Sequence, residues 1–276
     1  MQILTRDEIA QFQKLIYDFY KENRRDFIWR TDINPYRIVV SEVMLQQTQT
    51  ARVVPKFENW LTRFPDFTSL AEASSHDVLH AWQGLGYNRR GLALAKIAQL
   101  VMQDHEGILP ADPELLKTFP AIGPNTAGSI CAFAFNLPVV FIETNIRTVY
   151  TNTFFQGQNE IHDKQLLPLI EQTIDHLNPR AWYYALMDYG VHLKQKLPNI
   201  NAASKHYTRQ SRFEGSKRQI RGAIIKILTQ TKYMQEEDLI ELIHLQLPNN
   251  NHKPALIIQD LLKEQIVHLY GNMLSL

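Results

Sequence analysis

Two glutamates in apolar surroundings are the residues of this chain best suited to acid–base chemistry. Glu42 is the only acid in residues 41–49 (SEVMLQQTQ), a run that favours helix and carries paired glutamines one turn later. Glu143 follows the apolar run 139–142 (VVFI), near the expected start of another helix. A pair of carboxylates, one of them kept neutral by a dry environment, is what cleavage of a glycosidic bond requires. An acid placed like Glu143 can equally serve only as a favourable first-turn charge on the helix dipole.

A second motif, residues 119–128 (FPAIGPNTAG), predicts a tight turn between two helices. Pro120 and Gly123 break one helix, and Thr126 lies at the start of the next. Such a turn points consecutive backbone N–H groups outward at a helix N-terminus, which makes an anion site suited to a DNA phosphate. A contact of this kind positions a duplex without reading its sequence. Because a glycine turn between helices is also a common structural joint, the motif alone leaves both interpretations open.

Helical periodicity dominates the chain before residue 215. Thr5 with Glu8 three positions later has the capping-box pattern. Ile9, Phe12 and Ile16 then recur at helical spacing. Similar patterns predict further helices at residues 38–49, 50–64, 75–82, 90–105, 112–119, 125–135, 142–155, 164–177 and 179–194. Pro and Gly fall at the joints and no convincing strand is present in this part, so we expect a mostly α fold.

The pattern changes after a linker at residues 211–216 (SRFEGS). Ser216 can cap a helix, two more helices follow, and the chain ends in a hairpin pattern around Gly271. Three helices followed by a hairpin is the winged-helix order. We therefore expect two domains, residues 1–210 and a small winged-helix-like domain of residues 211–276.

The composition limits the class of protein. The chain has 276 residues, 45% of them hydrophobic, which is enough for a substantial core. It has no apolar run of about 18 residues that could cross a membrane. The N-terminus lacks a basic-then-apolar signal sequence, so we expect a cytoplasmic protein, in a bacterium one associated with the nucleoid. The single cysteine, Cys131, excludes a Cys-rich metal site, and we expect no bound metal.

Charge is distributed unevenly. The net charge is only +1, but seven Lys and Arg residues lie between residues 202 and 226, where the only acid is Glu214. Such a stripe can face phosphate, or it can be an ordinary solvated surface.

Taken together, the motifs resemble one family. The chain resembles the adenine DNA glycosylases, the MutY family of the helix–hairpin–helix glycosylase superfamily, in unbroken order over residues 8–210. The resemblance rests on Trp29-Arg30, residues 41–49, residues 84–87 (GLGY), residues 119–128 and residues 143–145 (ETN). It implies a two-lobed helix–hairpin–helix DNA glycosylase fold with the active site in the cleft between the lobes. We expect a monomer whose partner is double-stranded DNA with a mismatch or lesion.

The resemblance also implies roles for individual residues. Glu42 would be the general acid that protonates the leaving purine at N7 and then handles the attacking water. Glu143 would stabilise the oxocarbenium-like sugar, and Asn145 would orient Glu143. The base pocket would be lined by Trp29, Arg30 and Asp188. The DNA contacts would come from Gln46 and Gln47 at the wedge into the duplex, from Tyr87 beside the opposite base, and from Ile122, Gly123, Asn125 and Thr126 in the turn.

The chain departs from the family's pattern in its chemistry. Glu143 stands where the family has Asp, and one extra methylene displaces a carboxylate by a distance that can cost about 10²-fold in rate. Asn125 stands where bifunctional relatives have Lys, so we expect no Schiff base and no lyase step. The winged-helix-like segment stands in place of the family's module that checks for oxidised guanine.

A further departure concerns the family's iron–sulfur cluster. The four cysteine positions fall on Leu193, Ile200, Ala203 and Arg209. None of these side chains can ligate iron, so we expect no cluster and no other cofactor.

Three functions are compatible with these residues. The leading hypothesis is a monofunctional DNA glycosylase of base excision repair that removes adenine opposite 8-oxoguanine or G. The second is a glycosylase for another base, such as uracil or thymine opposite G. The third is a protein that binds distorted DNA without cutting it.

Overall fold

The computed structural model describes residues 3–197, 204–205 and 212–276. The described residues form two compact units, each built from two separate stretches of chain. The first unit comprises Met1–Val43 with Leu109–Arg209, and the second comprises Met44–Ile108 with Gln210–Leu276. Within the described part of the chain, no helix has both the length and the apolar character needed to cross a membrane.

The structure is mostly helical, with a small sheet near the C-terminus. The helices are α1 (Arg6–Asn23), α2 (Ile28–Thr31), α3 (Pro35–Leu45), α4 (Thr50–Arg63), α5 (Phe67–Ala71), α6 (Ser75–Trp82), α7 (Arg89–Asp104), α8 (Pro113–Leu116), α9 (Pro124–Phe135), α10 (Thr144–Phe154), α11 (Asp163–Thr173), α12 (Pro179–Lys196), α13 (Lys217–Thr231), α14 (Glu236–Gln246) and α15 (Pro254–Lys263). The strands are β1 (Met234–Gln235), β2 (His268–Tyr270) and β3 (Met273–Ser275).

The first unit has an aromatic core at the crossing of α1, α10 and α12. Phe12 packs edge-on against Tyr150 and Trp182, with ring centroids 5.4 Å and 5.7 Å away. Helix α12 comes very close to α10 at Gly190, where a Cβ atom would lie 2.4 Å from the carbonyl oxygen of Asn145. The absence of a side chain at Gly190 therefore brings the last turns of α12 beside the start of α10.

Helix α9 packs against the extended segment that leads into α10. At Gly128 a Cβ atom would lie 2.6 Å from the Cβ of Phe141, so only glycine allows this approach. The backbone N–H of Ile142 donates to Oδ1 of Asn125 at 3.3 Å. Phe141 and Ile142 are buried. These contacts fix the position at which Glu143 begins α10.

The second unit has an aliphatic core shared by two parts of the chain. Helices α13, α14 and α15 and the terminal hairpin enclose a cluster of buried side chains that also includes Leu79 of α6. Leu92 of α7 packs against the same cluster. The sheet order is β1-β3-β2, with both pairs antiparallel. Residues 212–276 thus have the expected winged-helix order and share a core with α6 and α7; the domain boundary at residue 210 stays a prediction.

Several predicted element boundaries differ from the structure. The helix predicted over 38–49 ends at Leu45, because Gln47 adopts a left-handed φ of 52°. The helix predicted over 112–119 is only the short α8. Ser216 is the N-cap residue of α13, but its side chain accepts no hydrogen bond from the helix; its hydroxyl donates to the carbonyl of Phe213. Strand β1 was not expected from the sequence.

Candidate active site

Glu42 lies on α3 in contact with a serine of α9. Ser129 Oγ is 2.5 Å from Glu42 Oε2. The Glu42 side chain is half-buried, and its pKa is raised to about 7. Burial is the largest cause, and the negative charge of Glu143 acts in the same direction. The hydrogen bond from Ser129 and the positive charge of Arg30 act to lower the pKa. Both the protonated and the ionised carboxyl are therefore accessible near neutral pH.

Ser129 was not identified from the sequence. It is buried, and its Oγ lies 3.0 Å from the carbonyl oxygen of Thr126 as well as beside Glu42. A hydroxyl has one hydrogen to donate. When Glu42 is protonated, its O–H can donate to Ser129, which then donates to Thr126. When Glu42 is ionised, Ser129 can donate to the carboxylate. The serine thus has a hydrogen-bonding arrangement for either protonation state of the acid.

Glu143 is the N-cap residue of α10. Its Oε1 accepts from the backbone N–H groups of Asn145 at 2.7 Å and Ile146 at 2.9 Å. Its Oε2 accepts from the side-chain amide of Asn145 at 3.2 Å. Glu143 therefore caps a helix, and its charge also acts on Glu42. One conformation of Glu143 is therefore compatible with both interpretations of this acid, a helix-capping residue and a charge that acts on Glu42.

Lys194 of α12 fixes the orientation of Asn145. Its Nζ donates to Asn145 Oδ1 at 2.7 Å, so the amide NH₂ of Asn145 must face Glu143. Burial lowers the pKa of Lys194, while the charge of Glu143 opposes that change. The sequence suggested Lys194 only as a phosphate contact and did not reveal its bond to Asn145, since that contact depends on the close crossing at Gly190.

The three residues expected in the base pocket occupy different environments. Asp188 is buried, and both of its carboxylate oxygens accept hydrogen bonds from Arg25 and Arg30. Asp188 therefore positions Arg30. The positive charge of Arg30 acts to lower the pKa of Glu42. Trp29 is buried and stacks on Phe27 with ring centroids 4.9 Å apart.

The turn before α9 has the geometry of an exposed helix N-terminus. Ala121 has a left-handed φ of 60°, and Ile122 is buried beneath the turn. Gly123 is the N-cap and Pro124 the first helical residue; both are exposed. Asn125 is exposed, although its side chain accepts from Ile142, and Thr126 is half-buried. The first N–H groups of a helix at such an exposed turn can bind a phosphate oxygen.

The residues expected at the wedge lie in the second unit. Gln46 is half-buried, whereas Gln47 and Tyr87 are exposed and have left-handed φ values of 52° and 47°. Arg90, which is buried, holds both loops with one guanidinium. Its partners are the carbonyl oxygens of Met44, Gln46, Leu85 and Gly86 and the hydroxyl of Thr48. Burial lowers the pKa of Arg90 to about 10.

The basic stripe is partly neutralised. Arg221 donates to Glu264 at 2.9 Å and 2.6 Å, and Arg212 pairs with Glu214 at 2.8 Å. Arg218 lies 3.5 Å from the hydroxyl of Tyr87. Some basic side chains of this stripe are therefore engaged in ion pairs with glutamates, and not every one is available to bind phosphate.

The positions assigned to the cluster cysteines do not offer a metal site where they are described. Leu193 is a buried aliphatic residue of α12. Ile200, Ala203 and Arg209 lie outside the described residues. Cys131 is buried in α9, and burial raises its pKa to about 11. In the described ranges no group of three His, Cys, Asp or Glu side chains could hold a metal. The lack of a cluster stays a prediction.

Comparison with known proteins gives one family and a consistent group of relatives. The model of the HhH-GPD superfamily base excision DNA repair proteins matches residues 40–176. An adenine DNA glycosylase of Mycobacterium tuberculosis (strain CDC 1551 / Oshkosh) is 41% identical over 132 residues, 48% of this chain and 43% of that protein. Its counterpart in Homo sapiens is 32% identical over 202 residues, 68% of this chain and 37% of that protein. The chain spans between 43% and 52% of the length of the first curated relatives.

Solved structures show the same fold at lower identity. A thermostable thymine-DNA glycosylase matches with a TM-score of 0.62 and 23% identity, covering 69% of this chain and 88% of that chain. Endonuclease III in a non-covalent complex with DNA matches with a TM-score of 0.60 and 15% identity, covering 71% and 91%. At these identities the likeness shows the fold alone.

The helical fold, the turn before α9 and the matched family model agree on the class of protein: residues 40–176 of this chain match the HhH-GPD superfamily of base excision DNA repair proteins. The curated relatives that it resembles are adenine DNA glycosylases.

Proposed function

We propose that this chain is a monofunctional DNA glycosylase that hydrolyses the N-glycosidic bond of adenine paired with 8-oxoguanine or G in duplex DNA. The observation that carries the proposal is the pair of carboxyl groups in the first unit. Glu42 has a pKa raised to about 7, and the charge of Glu143 contributes to that shift. Similarity to adenine DNA glycosylases supports adenine as the base. We further propose that the protein acts as a monomer in the cytoplasm, on chromosomal DNA.

Glu42 supplies the proton that the leaving base needs. With a pKa of about 7, Glu42 is available at neutral pH in the protonated form, which can protonate N7 of adenine. Proton loss leaves a carboxylate, to which Ser129 can donate its hydrogen. The same carboxylate can then take a proton from the attacking water. A pKa close to the working pH suits both steps.

Glu143 stabilises the positive charge that develops on the sugar as the bond breaks. The carboxylate is already oriented by two backbone N–H groups and the Asn145 amide, so little reorganisation is needed during the reaction. Preorganised charges of this kind are typically worth about 3–4 kcal/mol each. The side chain of Glu143 is longer than that of Asp. Its carboxylate is held by the first N–H groups of α10 and by Asn145, which Lys194 orients.

The remaining residues hold the DNA in this proposal. The exposed turn at Gly123 binds a backbone phosphate without regard to sequence. The loops that carry Gln46, Gln47 and Tyr87 fill the space left in the duplex as the nucleotide is extruded. Arg90 holds both loops, so they act together.

An excision assay tests the proposal. Labelled duplexes carrying A opposite 8-oxoguanine, G or T, and U or T opposite G, are incubated with the protein and then treated with alkali. We expect cleavage at A opposite 8-oxoguanine or G. The Glu42→Gln variant keeps the shape of the side chain without an acidic proton, and should lose this activity.

The same panel separates the alternatives. Cleavage only at U or T opposite G would replace adenine with another base. Duplex binding with no excision at any position, and no gain of activity in Glu143→Asp, would favour a non-cutting DNA binder. Intact strands at every adenine would refute the proposed function.

Two further expectations accompany the proposal. Because Asn125 offers no amine and its side chain accepts from Ile142, strands should stay intact until alkali is added. Because Leu193 is buried in α12 and cannot ligate iron, the purified protein should contain no iron and show no visible absorbance from a cluster. Strand cleavage without alkali would contradict the first expectation, and stoichiometric iron would contradict the second.

A further inference from the structure

Arg218 of α13 connects the C-terminal segment to the loop of residues 84–87. One of its guanidinium nitrogens, Nη1, lies 3.5 Å from the hydroxyl of Tyr87. The guanidinium of Arg90 lies 5.3 Å from the centroid of the same ring. All three residues belong to the second unit. The C-terminal segment thus supplies a positive charge at one end of this loop.

The helix that carries Arg218 is anchored beside the loop. Arg221, one turn further along α13, donates to both carboxylate oxygens of Glu264. Glu264 also accepts from Arg89, the first residue of α7. Because residues three apart lie on the same face of a helix, Arg218 and Arg221 both face the start of α7. The ion pairs of Arg221 therefore help to hold Arg218 beside Tyr87.

A second cation lies at the other end of the loop. Lys56 of α4 crosses Gly84, where a Cβ atom would lie 3.4 Å from Cε and 3.7 Å from Nζ of the lysine. From Gly84 to Tyr87 the chain can span about 11 Å at most. One DNA strand carries a phosphate about every 3.4 Å along the helix axis. The loop between the two cations is thus short enough for a single strand to meet both.

We propose that Arg218 and Lys56 form a clamp for backbone phosphates of the strand opposite the extruded adenine. This inference rests on the proposed function, in which the loop of Tyr87 enters the duplex beside the base opposite adenine. The strand that carries this base runs past the loop, and its phosphates are the anions that meet cations on both sides of it. Lys and Arg are the side chains that neutralise DNA phosphates.

A clamp of this kind gives the C-terminal segment a role in affinity. A phosphate contact positions the duplex but carries no sequence information. Residues 211–276, which stand in place of the family's module that checks for oxidised guanine, would then strengthen binding without distinguishing 8-oxoguanine from guanine. The effect of Arg218 should be the same whichever of the two bases lies opposite adenine.

The test measures binding without excision. Duplexes carry 2′-fluoro-2′-deoxyadenosine, whose glycosidic bond resists hydrolysis, opposite 8-oxoguanine or G. Fluorescence anisotropy gives Kd between about 50 and 200 mM salt. Arg218→Gln and Lys56→Gln should each weaken binding about tenfold, the effect of losing one hydrogen bond to a charged group. Each should also lower the slope of log Kd against log salt by about one.

Lys226→Gln is the matched control. Lys226 is exposed on the same helix, about two turns beyond Arg218, and the substitution removes the same charge. Its Kd and salt slope should stay near those of wild type. Arg218→Lys keeps the charge and should retain most of the slope, so a loss in Arg218→Gln can be attributed to the charge and not to misfolding.

Neutral methylphosphonates identify the strand. When they replace the phosphates nearest the base opposite adenine, wild type and Arg218→Gln should bind equally well. When they replace the corresponding phosphates of the adenine strand, the difference between the two proteins should remain. The reverse pattern would overturn the assignment of the clamp to the opposite strand.

Other results would also overturn the clamp. A wild-type salt slope in Arg218→Gln and Lys56→Gln would show that neither side chain contacts phosphate. An equal loss in Lys226→Gln would indicate diffuse attraction to the whole basic stripe. A loss confined to duplexes with 8-oxoguanine would make Arg218 a reader of the base. If wild type excises no adenine, the proposed function alone fails, because the binding measurements need no excision.

Discussion

Glu42 and Ser129 form a pair in which a hydroxyl can adapt to the protonation state of an acid. The pKa of Glu42 is about 7, raised chiefly by burial, and the hydrogen bond from Ser129 restrains that rise. The protonated form is needed to donate to the base. The excision rate should therefore be highest below this pKa and fall as the pH rises through it.

Ser129→Ala should change both the rate and its pH dependence. Without the hydroxyl, the Glu42 carboxylate is less well stabilised, so the fall in rate on the alkaline side should move to higher pH. The rate on the acid side should drop about tenfold or more, because hydrogen bonds to charged groups are worth about 1.5–3 kcal/mol. Single-turnover excision of adenine between about pH 5 and pH 9 measures both effects.

Ser41→Ala is the control for this experiment. Ser41 is also buried on α3, but its hydroxyl donates to the carbonyl of Ile38 at 3.0 Å. Its removal should leave the pH profile in place. A profile that does not move in Ser129→Ala would show that the serine does not act on the acid.

Glu143→Asp should separate helix capping from catalysis. Asp is favoured at helix N-caps, so the stability of the variant should change little. The shorter side chain withdraws the carboxylate from the position that Asn145 now supports, and a displacement on the order of 1 Å can cost about 10²-fold in rate. Chemical unfolding and single-turnover excision are measured on the same preparation. Faster excision by Glu143→Asp would mean that the glutamate is poorly placed for adenine.

The residues of the site differ in how far the sequence reveals them. Glu42, Glu143 and Asn145 could be proposed because each stands in a short motif with recognisable neighbours. Ser129 could not, because its role depends on a contact between helices: it meets an acid 87 positions away. Lys194 depends in the same way on the missing side chain at Gly190.

At the scale of elements, Arg90 joins two loops that are separate in the sequence. The last carbonyls of a helix have no partners within it, and the guanidinium of Arg90 donates to the carbonyl of Met44 in α3 and to that of Gln46 just after it. The same group bonds to Leu85 and Gly86. The conformations of the glutamine loop and the tyrosine loop are therefore linked through one side chain.

Arg90→Lys should impair base extrusion. An ammonium is a compact charge without the planar fork of guanidinium, so it cannot reach both loops at once. We expect the fluorescence rise of 2-aminopurine at the target position, which reports unstacking, to slow about tenfold or more, as expected when several hydrogen bonds are lost. Arg63→Lys is the control, since Arg63 is an exposed arginine of the same unit that pairs with Asp77. Extrusion at the wild-type rate in Arg90→Lys would show that the loops do not need this support.

Tertiary contacts also explain which elements the sequence did not predict. The sequence pattern predicts that α3 continues to residue 49. The local sequence does not indicate that Arg90 donates to the carbonyls at the end of this helix. Strand β1 has only two residues and forms because Met234 and Gln235 pair with β3. A pattern over two residues carries no periodicity. Long amphipathic helices such as α4 and α12 were found, since their apolar spacing is sustained over several turns.

At the scale of the whole chain, the C-terminal segment completes the second unit. Its aliphatic core includes Leu79 and supports Leu92, both from the middle of the chain. A polar link reinforces this packing: Glu264 accepts from Arg221 within the C-terminal segment and from Arg89 at the start of α7. Arg89 lies two residues after Tyr87, so the segment also steadies the loop proposed to contact DNA.

Glu264→Gln should weaken this link in a pH-dependent way. Burial acts to raise the pKa of Glu264, but the hydrogen bonds and charges of Arg221 and Arg89 lower it to about 2. A carboxyl with a depressed pKa stabilises the folded state above its unfolded value of about 4.3, and that contribution is lost as the pH falls towards 2. Allowing for solvent screening, Glu264→Gln should lower the free energy of unfolding by about 1 kcal/mol at pH 7. The difference should largely disappear near pH 2.

Urea unfolding at both pH values measures this difference. Asp260→Asn is the control, because Asp260 is exposed on α15 and has no ion pair within the described part of the chain. A difference between wild type and Glu264→Gln that is the same at both pH values would show that the ion pairs do not stabilise the unit.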